Sequence, residues 1–442
     1  LSDKLALFSQ LSRIGFALWV AQSTAPAFAQ TIAQDSAGPD YDLFDSLAEP
    51  GVTTTFPGAR DSLLGDLGGY RSALARENIG VSIRSSTVIM TGLKDTGQPR
   101  SPQLYNGQRF TLQNSGTVAN FSWRMDKLNL PDTTLTVGGI AYFSSFDQNA
   151  PNNVSLRALS IHQRLFGGKV EVKAGYISNL YEFAGLFTGG SPVLATGLAG
   201  LVPIQAGMSG DPVSTPAINM TVNGTRGLYV KVGLQRSVSP RGRPYEVEHN
   251  RNGFRFGATG AGALTIAEVG VRRPATKDGH QIWLRAGAFT NSSDYTLFNG
   301  GGTASNQVVY GAADLQVAKV DPARPAAGFY VGGSAFWGDP SVNIFTQSYE
   351  ARTYAIGILP SRPRDTISLK LTYNKFSPDA RSARNRAGIY ANKDQTNISL
   401  AYSTHVRSGA YFIPAFSYIR HPSFIGNFKD AVLLSSTFYF LF

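Results

Sequence analysis

From Asn78 to Phe442 the chain alternates apolar and polar residues in segments of about ten, separated by turn residues. A repeat of two places successive side chains on opposite faces of an extended strand, whereas a helix would repeat at 3.6. In 117–126, Ala119, Phe121, Trp123 and Met125 share one face, against Asn120, Ser122 and Arg124 on the other. In 226–236, Leu228, Val230, Val232 and Leu234 oppose Tyr229, Lys231 and Gln235. The segments 280–290 and 365–376 repeat the pattern: Leu284 and Ala286 oppose Trp283 and Arg285, and Leu369 and Leu371 oppose Ser368 and Lys370. The last segment is the most apolar, with Val432, Leu434, Phe438, Phe440 and Phe442 on one face. It is long enough to cross a bilayer as a tilted strand, which takes about 9–11 residues. A chain that stops inside such a strand leaves an open sheet edge, unless the last strand pairs with the first and closes a barrel.

Counted back from Phe442, strands fall at about 431–442, 410–420, 395–405, 365–376, 349–359, 326–338, 307–319, 280–290, 262–273, 226–236, 217–223, 168–177, 155–166, 133–145, 117–126 and 78–91, sixteen in all. A count from the front yields seventeen, but single-chain bacterial membrane barrels have even strand numbers. The stretch 253–261 is therefore read as extending the following strand or folding within a loop. The connections alternate in length. Those at 127–132, Gly167, 224–225, 274–279, 320–325, 360–364 and 406–409 are short. Those at 92–116, 146–154, 178–216, 237–261, 291–306, 339–348, 377–394 and 421–430 are mostly longer. Short periplasmic turns and long outer loops are the habit of outer-membrane barrels. No period of 40–50 residues marks propeller blades. The expected fold is all-β, a transmembrane antiparallel β-barrel of about sixteen strands over 78–442. Alternation alone does not separate it from a soluble sandwich; the aromatic terminal strand and the N-terminus do.

Lys4 and Arg13 flank the apolar stretch Ile14 to Ala21, and Ala27-Phe28-Ala29 forms a small-x-small pattern before Gln30. This reads as a secretory signal peptide over 1–29. Leu1 stands where a methionine begins most chains, which leaves an alternative start codon and a trimmed chain both open. Residues 30–60 are acidic, polar and rich in Pro and Gly, as expected of a poorly ordered periplasmic linker. Leu67, Tyr70, Leu74 and Ile79 allow a short helix over 67–77 that caps or plugs the periplasmic mouth, so 30–77 reads as linker and lead-in helix.

Composition narrows the picture further. Apolar residues make up 42% of the chain and no run of about 20 follows the N-terminus, which excludes a helical membrane protein. Gly 47, Tyr 19 and Phe 27 suit a membrane barrel. Zero cysteine removes disulfide frameworks and thiolate metal sites. The formal net charge is +11; Lys4, Arg13 and Asp3 contribute +1 to residues 1–29, which leaves +10 for the rest. The basic residues sit in turns or singly within strands, without a basic helix or zinc spacing, so no nucleic acid is expected as partner. A positive lumen and a basic rim facing outer-membrane lipid and lipopolysaccharide account for the charge.

Catalytic chemistry is hard to assemble. The five histidines, His162, His249, His280, His405 and His421, show no metal-ligand spacing, and no Gly-x-Ser-x-Gly elbow is present. No cofactor, metal site or catalytic residue is expected. Ser160 and His162 share a strand face, but two residues do not make a triad. The informative segment is 178–216, apolar and glycine-rich with only Glu182 and Asp211 charged. Such a loop is not stable in water, and it is expected to fold into the barrel and narrow it. The wet face then carries Arg84, Arg124, His162, Arg164, Glu171, Lys173, Lys231, Glu268, Arg272, Trp283, Arg285, Asp314 and Lys370, with Tyr229 and Tyr310 beside them. Arginine offers rigid donors to hydroxyl and carboxylate oxygens, and aromatic faces suit sugars.

Several motifs in order carry a family likeness. Gly65-Asp66-Leu67-Gly68-Gly69-Tyr70-Arg71, then Leu74-Ala75 and Gly80, resembles the opening "GDWGGLRxxLAxxGI" of the OprB-type carbohydrate-selective porins. Ala174-Gly175-Tyr176 with Glu182-Phe183-Ala184 is similar to the strand that leads into that family's constriction loop. Ala267-Glu268-Val269-Gly270 with 284–289 (LRAGAF) looks like its "E-x-G-Y…GxYY" pair. Gly357 to Asp365 resembles its "GLxxxGRPxD" hairpin, and Ile413 to Pro422 its "xxPxxQYIxxPG" strand. Tyr70, Ser417 and Ser423 depart from those patterns, and 178–216 matches little beyond Phe183. The likeness spans about 64–442. It implies a sixteen-strand barrel in a Gram-negative outer membrane and passive diffusion of small sugars through an arginine-lined constriction. Phe438, Phe440 and Phe442 would form the signal read by the barrel-assembly machinery. The assembly is expected as a monomer or homotrimer. Two alternatives stay open: a non-conducting envelope barrel that docks a polysaccharide or partner protein, and a barrel hydrolase.

Overall fold

The computed structural model describes residues 38–97, 110–145, 152–185, 187–194 and 200–442; the expected signal peptide lies outside them. Sixteen strands are seen: β1 (Ile79–Gly92), β2 (Phe110–Arg124), β3 (Thr133–Ser144), β4 (Asn153–Leu165), β5 (Val170–Ile177), β6 (Thr215–Asn223), β7 (Leu228–Arg236), β8 (Ala263–Arg273), β9 (Ile282–Thr296), β10 (Thr303–Lys319), β11 (Gly328–Gly338), β12 (Phe345–Ile356), β13 (Thr366–Phe376), β14 (Asp394–Arg407), β15 (Ala410–Arg420) and β16 (Ala431–Leu441). Each pairs antiparallel with its sequence neighbours, and β1 pairs with β16 from Arg84↔Leu441 to Gly92↔Leu433, so the barrel is closed. Closure leaves no edge strand, which removes the liability of ending the chain on an apolar strand.

The faces are inverted relative to a soluble protein. Phe121, Val137, Ile161, Val230, Leu284, Leu369 and Phe416 are exposed on the outer wall. Their neighbours Asn120, Thr136, Ser160, Lys231, Arg285 and Ser368 point inward and are buried. Apolar side chains outside and polar ones inside suit a lipid exterior and a wet lumen. Among the described residues no helix is long and apolar enough to cross a membrane.

One expected loop is mainly strand, and the stretch left between two readings is settled as loop. The loop placed at 291–306 is mostly strand: β9 and β10 continue as a hairpin to Thr296↔Thr303. Here the outward positions are polar, so hydropathy gives no signal, but the inward Asn291, Ser293 and Tyr295 are buried and bonded. The stretch 253–261 lies in the loop between β7 and β8.

The lead-in also departs from a loose linker. It forms a helix, Tyr41–Ser46, capped by Asp40, whose side chain accepts from Leu43 N at 3.0 Å. A second helix, Tyr70–Arg76, follows the two left-handed glycines Gly68 and Gly69. This helix sits against β1 at the short-turn end. The Arg71 guanidinium reaches the chain end, donating to Phe442 O, Gly65 O and Ser62 Oγ. Asp61 docks under the β14–β15 turn, accepting from Gly409 N at 3.0 Å and from Tyr411 Oη. Gly409 has φ +71°, and a Cβ there would strike Leu63 N and Leu441 O, so only glycine allows this close approach. Between these anchors, residues 48–57 enter the barrel.

Candidate functional site

The loop between β5 and β6 folds into the lumen because one inner wall there is apolar. Leu264, Ile266, Phe289, Val308, Tyr310 and Phe336, from β8 to β11, pack with Leu180, Phe183, Ala184, Val202, Ala206 and Met208 of the loop. Burying such side chains contributes roughly 1.5–3 kcal/mol each relative to exposure in water. Polar anchors fix the position. Glu268 accepts from Ala184 N at 2.9 Å, Tyr229 Oη at 2.8 Å and Tyr310 Oη at 2.7 Å. Asn219 donates to Asn179 Oδ1 at 2.7 Å and to Glu182 Oε2 at 2.8 Å. The Arg285 guanidinium lies 3.6 Å from the Trp283 ring centroid and beside Gly185, whose φ of +68° and missing Cβ make room for it.

With the loop against β8–β11, the open space lies on the opposite side. A cavity of about 450 Å³ lies there between the loop and a barrel wall that is mostly polar over β14–β16 and apolar at Val88, Met90, Val118 and Ile413. The loop supplies Leu180, Tyr181, Phe187, Pro192, Leu201 and Ile204. Facing them are Asn397, Ser399, Ser417, Ser435 and Thr437 from β14, β15 and β16. Phe56, Arg84, Tyr181 and Tyr439 stand together in one part of its lining. Arg84 lies 4.1 Å over the Phe56 ring, and its Nη2 has no hydrogen-bond partner among the described residues. The Tyr439 hydroxyl is likewise without one. Arg243, from the helix Arg243–His249 in the β7–β8 loop, donates Nη1 to Asp211 O at 3.1 Å and leaves Nε and Nη2 unbonded. Burial pushes this guanidinium down to about 10, against the pull of Asp211 and Tyr142, so it remains a cation at neutral pH.

A second polar system lies below the loop. Glu49, from the lead-in, pairs with Arg157 Nη1 at 2.9 Å and Lys173 Nζ at 3.0 Å. Lys173 also pairs with Glu182 at 2.8 Å. Along the far wall a ladder of charge crosses the strands: Arg285 to Asp314 at 3.7 Å, Asp314 to Arg352 at 2.7 Å, Arg352 to Glu350 at 2.7 Å, and Glu350 to Lys370 at 3.7 Å.

Of the residues read as lumen-facing, Arg84 and Lys370 line the cavity. Lys173, Lys231, Glu268, Trp283, Arg285 and Asp314 point inward but are buried by the loop, the lead-in or the charge ladder. His162 and Glu171 face each other at 3.1 Å, and Glu171 also accepts from Asn223. Arg272 lies 4.7 Å over the Trp283 ring. Arg124 and Arg164 lie at the rim, not in the passage: Arg124 ends β2 and pairs with Asp126 in the turn, and Arg164 is exposed near the end of β4. Alternation carries no information on where the wall stops. Missed by the sequence reading were Glu49, Phe56, Arg157, Tyr181, Asp211 and Arg243. Arg157 is the extra residue of a β-bulge, where Gly138 opposes Ala158 and Gly139 opposes Leu156. A bulge shifts the repeat by one, which hides an inward residue from pattern reading.

A closed sixteen-strand membrane barrel with a wet lumen and an inserted loop defines a porin-type channel. The chain belongs to the carbohydrate-selective porin, OprB family, whose profile matches residues 128–442. It is similar to the high-pH structure of Pseudomonas putida OprB, at 16% identity and a TM-score of 0.74, covering 86% of this chain and 98% of that one. The low-pH structure of the same protein is 16% identical with a TM-score of 0.55, covering 88% and 100%. No curated protein matches the chain by sequence.

Proposed function

We propose that this protein is a Gram-negative outer-membrane porin giving passive passage to small hydrophilic solutes, carbohydrates by preference. The observation that carries the reading is the two-walled cavity. A sugar ring has apolar C–H faces and a hydroxyl edge. The wall of Leu180, Tyr181, Phe187 and Ile204 suits the faces, and Asn397, Ser399, Ser417, Ser435 and Thr437 suit the edge. Arg84 Nη2 and Tyr439 Oη, buried without partners among the described residues, are polar groups of this lining left to bond a solute hydroxyl. Hydroxyl-lined surfaces replace a solute's water, and the loop sets the size limit. The family supports the carbohydrate preference, and the short-turn end is taken as periplasmic.

The test is swelling of proteoliposomes in isosmotic sugars, with folding checked by heat-modifiable gel mobility. Fast swelling with a monosaccharide, slower with a disaccharide and none with a tetrasaccharide is the expected series. No swelling with any of them from folded protein would overturn the proposal. A second reading, a barrel held shut that docks an envelope partner, draws on residues 48–57 lying in the lumen; it requires that null result.

A further inference from the structure

Residues 48–57 run across the lumen directly beneath the inserted loop, and most positions from Glu49 to Phe56 are tied down. Glu49 binds Arg157 of β4 and Lys173 of β5, and accepts from Asn120 of β2 at 2.8 Å. Pro50 O accepts from Lys173 at 3.0 Å, and Gly51 O accepts from Lys231 of β7 at 3.3 Å. Thr53 N donates to Tyr181 O at 2.8 Å, and Thr55 N donates to Gly190 O at 2.8 Å, so the segment pairs with the loop above it. Thr55 Oγ1 accepts from Arg272 of β8 at 3.0 Å. Phe56 then crosses to the opposite wall. It packs against Val193, Tyr411, Tyr439 and Leu441, under the Arg84 guanidinium.

We propose that this segment is a pore element, a strap that forms the periplasmic floor of the passage. In it Glu49 sets the ionic preference by neutralising Arg157 and Lys173, and Phe56 sets the width of the exit. The strap is not part of the barrel wall and lies outside the residues matched by the family profile. Its sequence shows why it stays inside. A short segment with one carboxylate, one glycine and three threonines satisfies a cationic lumen with only Val52 and Phe56 as large apolar side chains. The loop's carboxylates, Glu182 and Asp211, balance only part of that charge, since Lys173, Lys231, Arg157 and Arg243 all converge on them. Removing Glu49 therefore leaves the lumen one unit more positive within reach of the permeating ion. Moving the Phe56 ring opens the junction between the cavity and the short-turn end.

The inference rests on the channel reading above, and two variants separate them. Glu49→Gln keeps the shape and removes the charge; Phe56→Ala keeps the charge and removes the bulk. Reversal potentials are measured in planar bilayers across a potassium chloride gradient, and disaccharide swelling rates in liposomes, for both variants and wild type. Glu49→Gln is expected to raise the chloride-to-potassium permeability ratio about threefold at low salt, since one unit charge acts within a Debye length. Phe56→Ala is expected to raise disaccharide swelling at least about twofold over wild type, since a wider exit passes a larger solute. A conducting wild type with both variants unchanged, or a Glu49→Gln shift toward cations, overturns the strap and leaves the channel. Silence from folded wild type and both variants overturns both. Silence from wild type with conductance in either variant supports a strap that holds the pore shut.

Discussion

Asp61 is one anchor of the lead-in, and its removal should loosen that segment without opening the barrel. It is 5% exposed, and its carboxylate accepts from Tyr411 Oη and Gly409 N, stands 2.8 Å from His405 Nε2 and pairs with Arg364 at 2.7 Å. Arg364 is 43% exposed, so that ion pair contributes at most about 1 kcal/mol. The hydrogen bonds from Tyr411 and Gly409 to a buried charge contribute about 1.5–3 kcal/mol more. Asp61→Ala should thus weaken docking by about 3 kcal/mol, roughly a hundredfold in the docked-to-released ratio. Burial raises the Asp61 pKa, but Tyr411, His405, Gly409 and Arg364 outweigh it and hold it below the ordinary aspartate value. A depressed carboxylate contributes fully above its unfolded pKa and loses that contribution as pH falls through the folded one. Wild type should therefore keep this contribution down to pH values below the ordinary aspartate pKa of about 4, and Asp61→Ala should lack it already at neutral pH. Hydrogen exchange of the amides in 41–76, in folded micellar protein, reads the effect. Equal protection in variant and wild type at pH 7 would refute the anchor.

Three further outcomes follow from the same geometry. Arg71→Ala removes donors to Phe442 O, Gly65 O and Ser62 Oγ, and should cost about 2–3 kcal/mol and lower the temperature at which the folded gel band disappears; an unchanged transition would show that the clamp is idle. Val230→Arg, on the exposed outer face of β7, should cost about 2–4 kcal/mol in refolding from urea, while Ser417→Arg on the hydroxyl wall should cost far less; equal costs would contradict the assignment of faces. Arg84→Ala should raise the sugar concentration that half-blocks the channel by about tenfold, as for one charge-assisted hydrogen bond, and an unchanged block would exclude Arg84 from the sugar path.

Much of the wall was legible because a membrane strand obeys one rule. Lipid demands apolar residues at alternate positions, and the lumen demands polar ones between, so Val230 beside Lys231 and Leu369 beside Lys370 declare their faces without any tertiary information. The alternation, taken with the even strand number of membrane barrels, therefore determined an all-β barrel of sixteen strands and most of its turns. The tertiary structure decided what fills it. Glu49 and Phe56 sit in a stretch composed like a linker, and they are ordered only because Arg157, Lys173 and Arg84 converge from distant strands. Arg157 is turned inward by a bulge, and Arg243 and Asp211 come from loops with no period to read. Arg124 and Arg164 have the right face but stand where the wall ends. A strand's own neighbours set which way its side chains point, whereas the width and charge of the passage arise from segments that meet only after the barrel has closed.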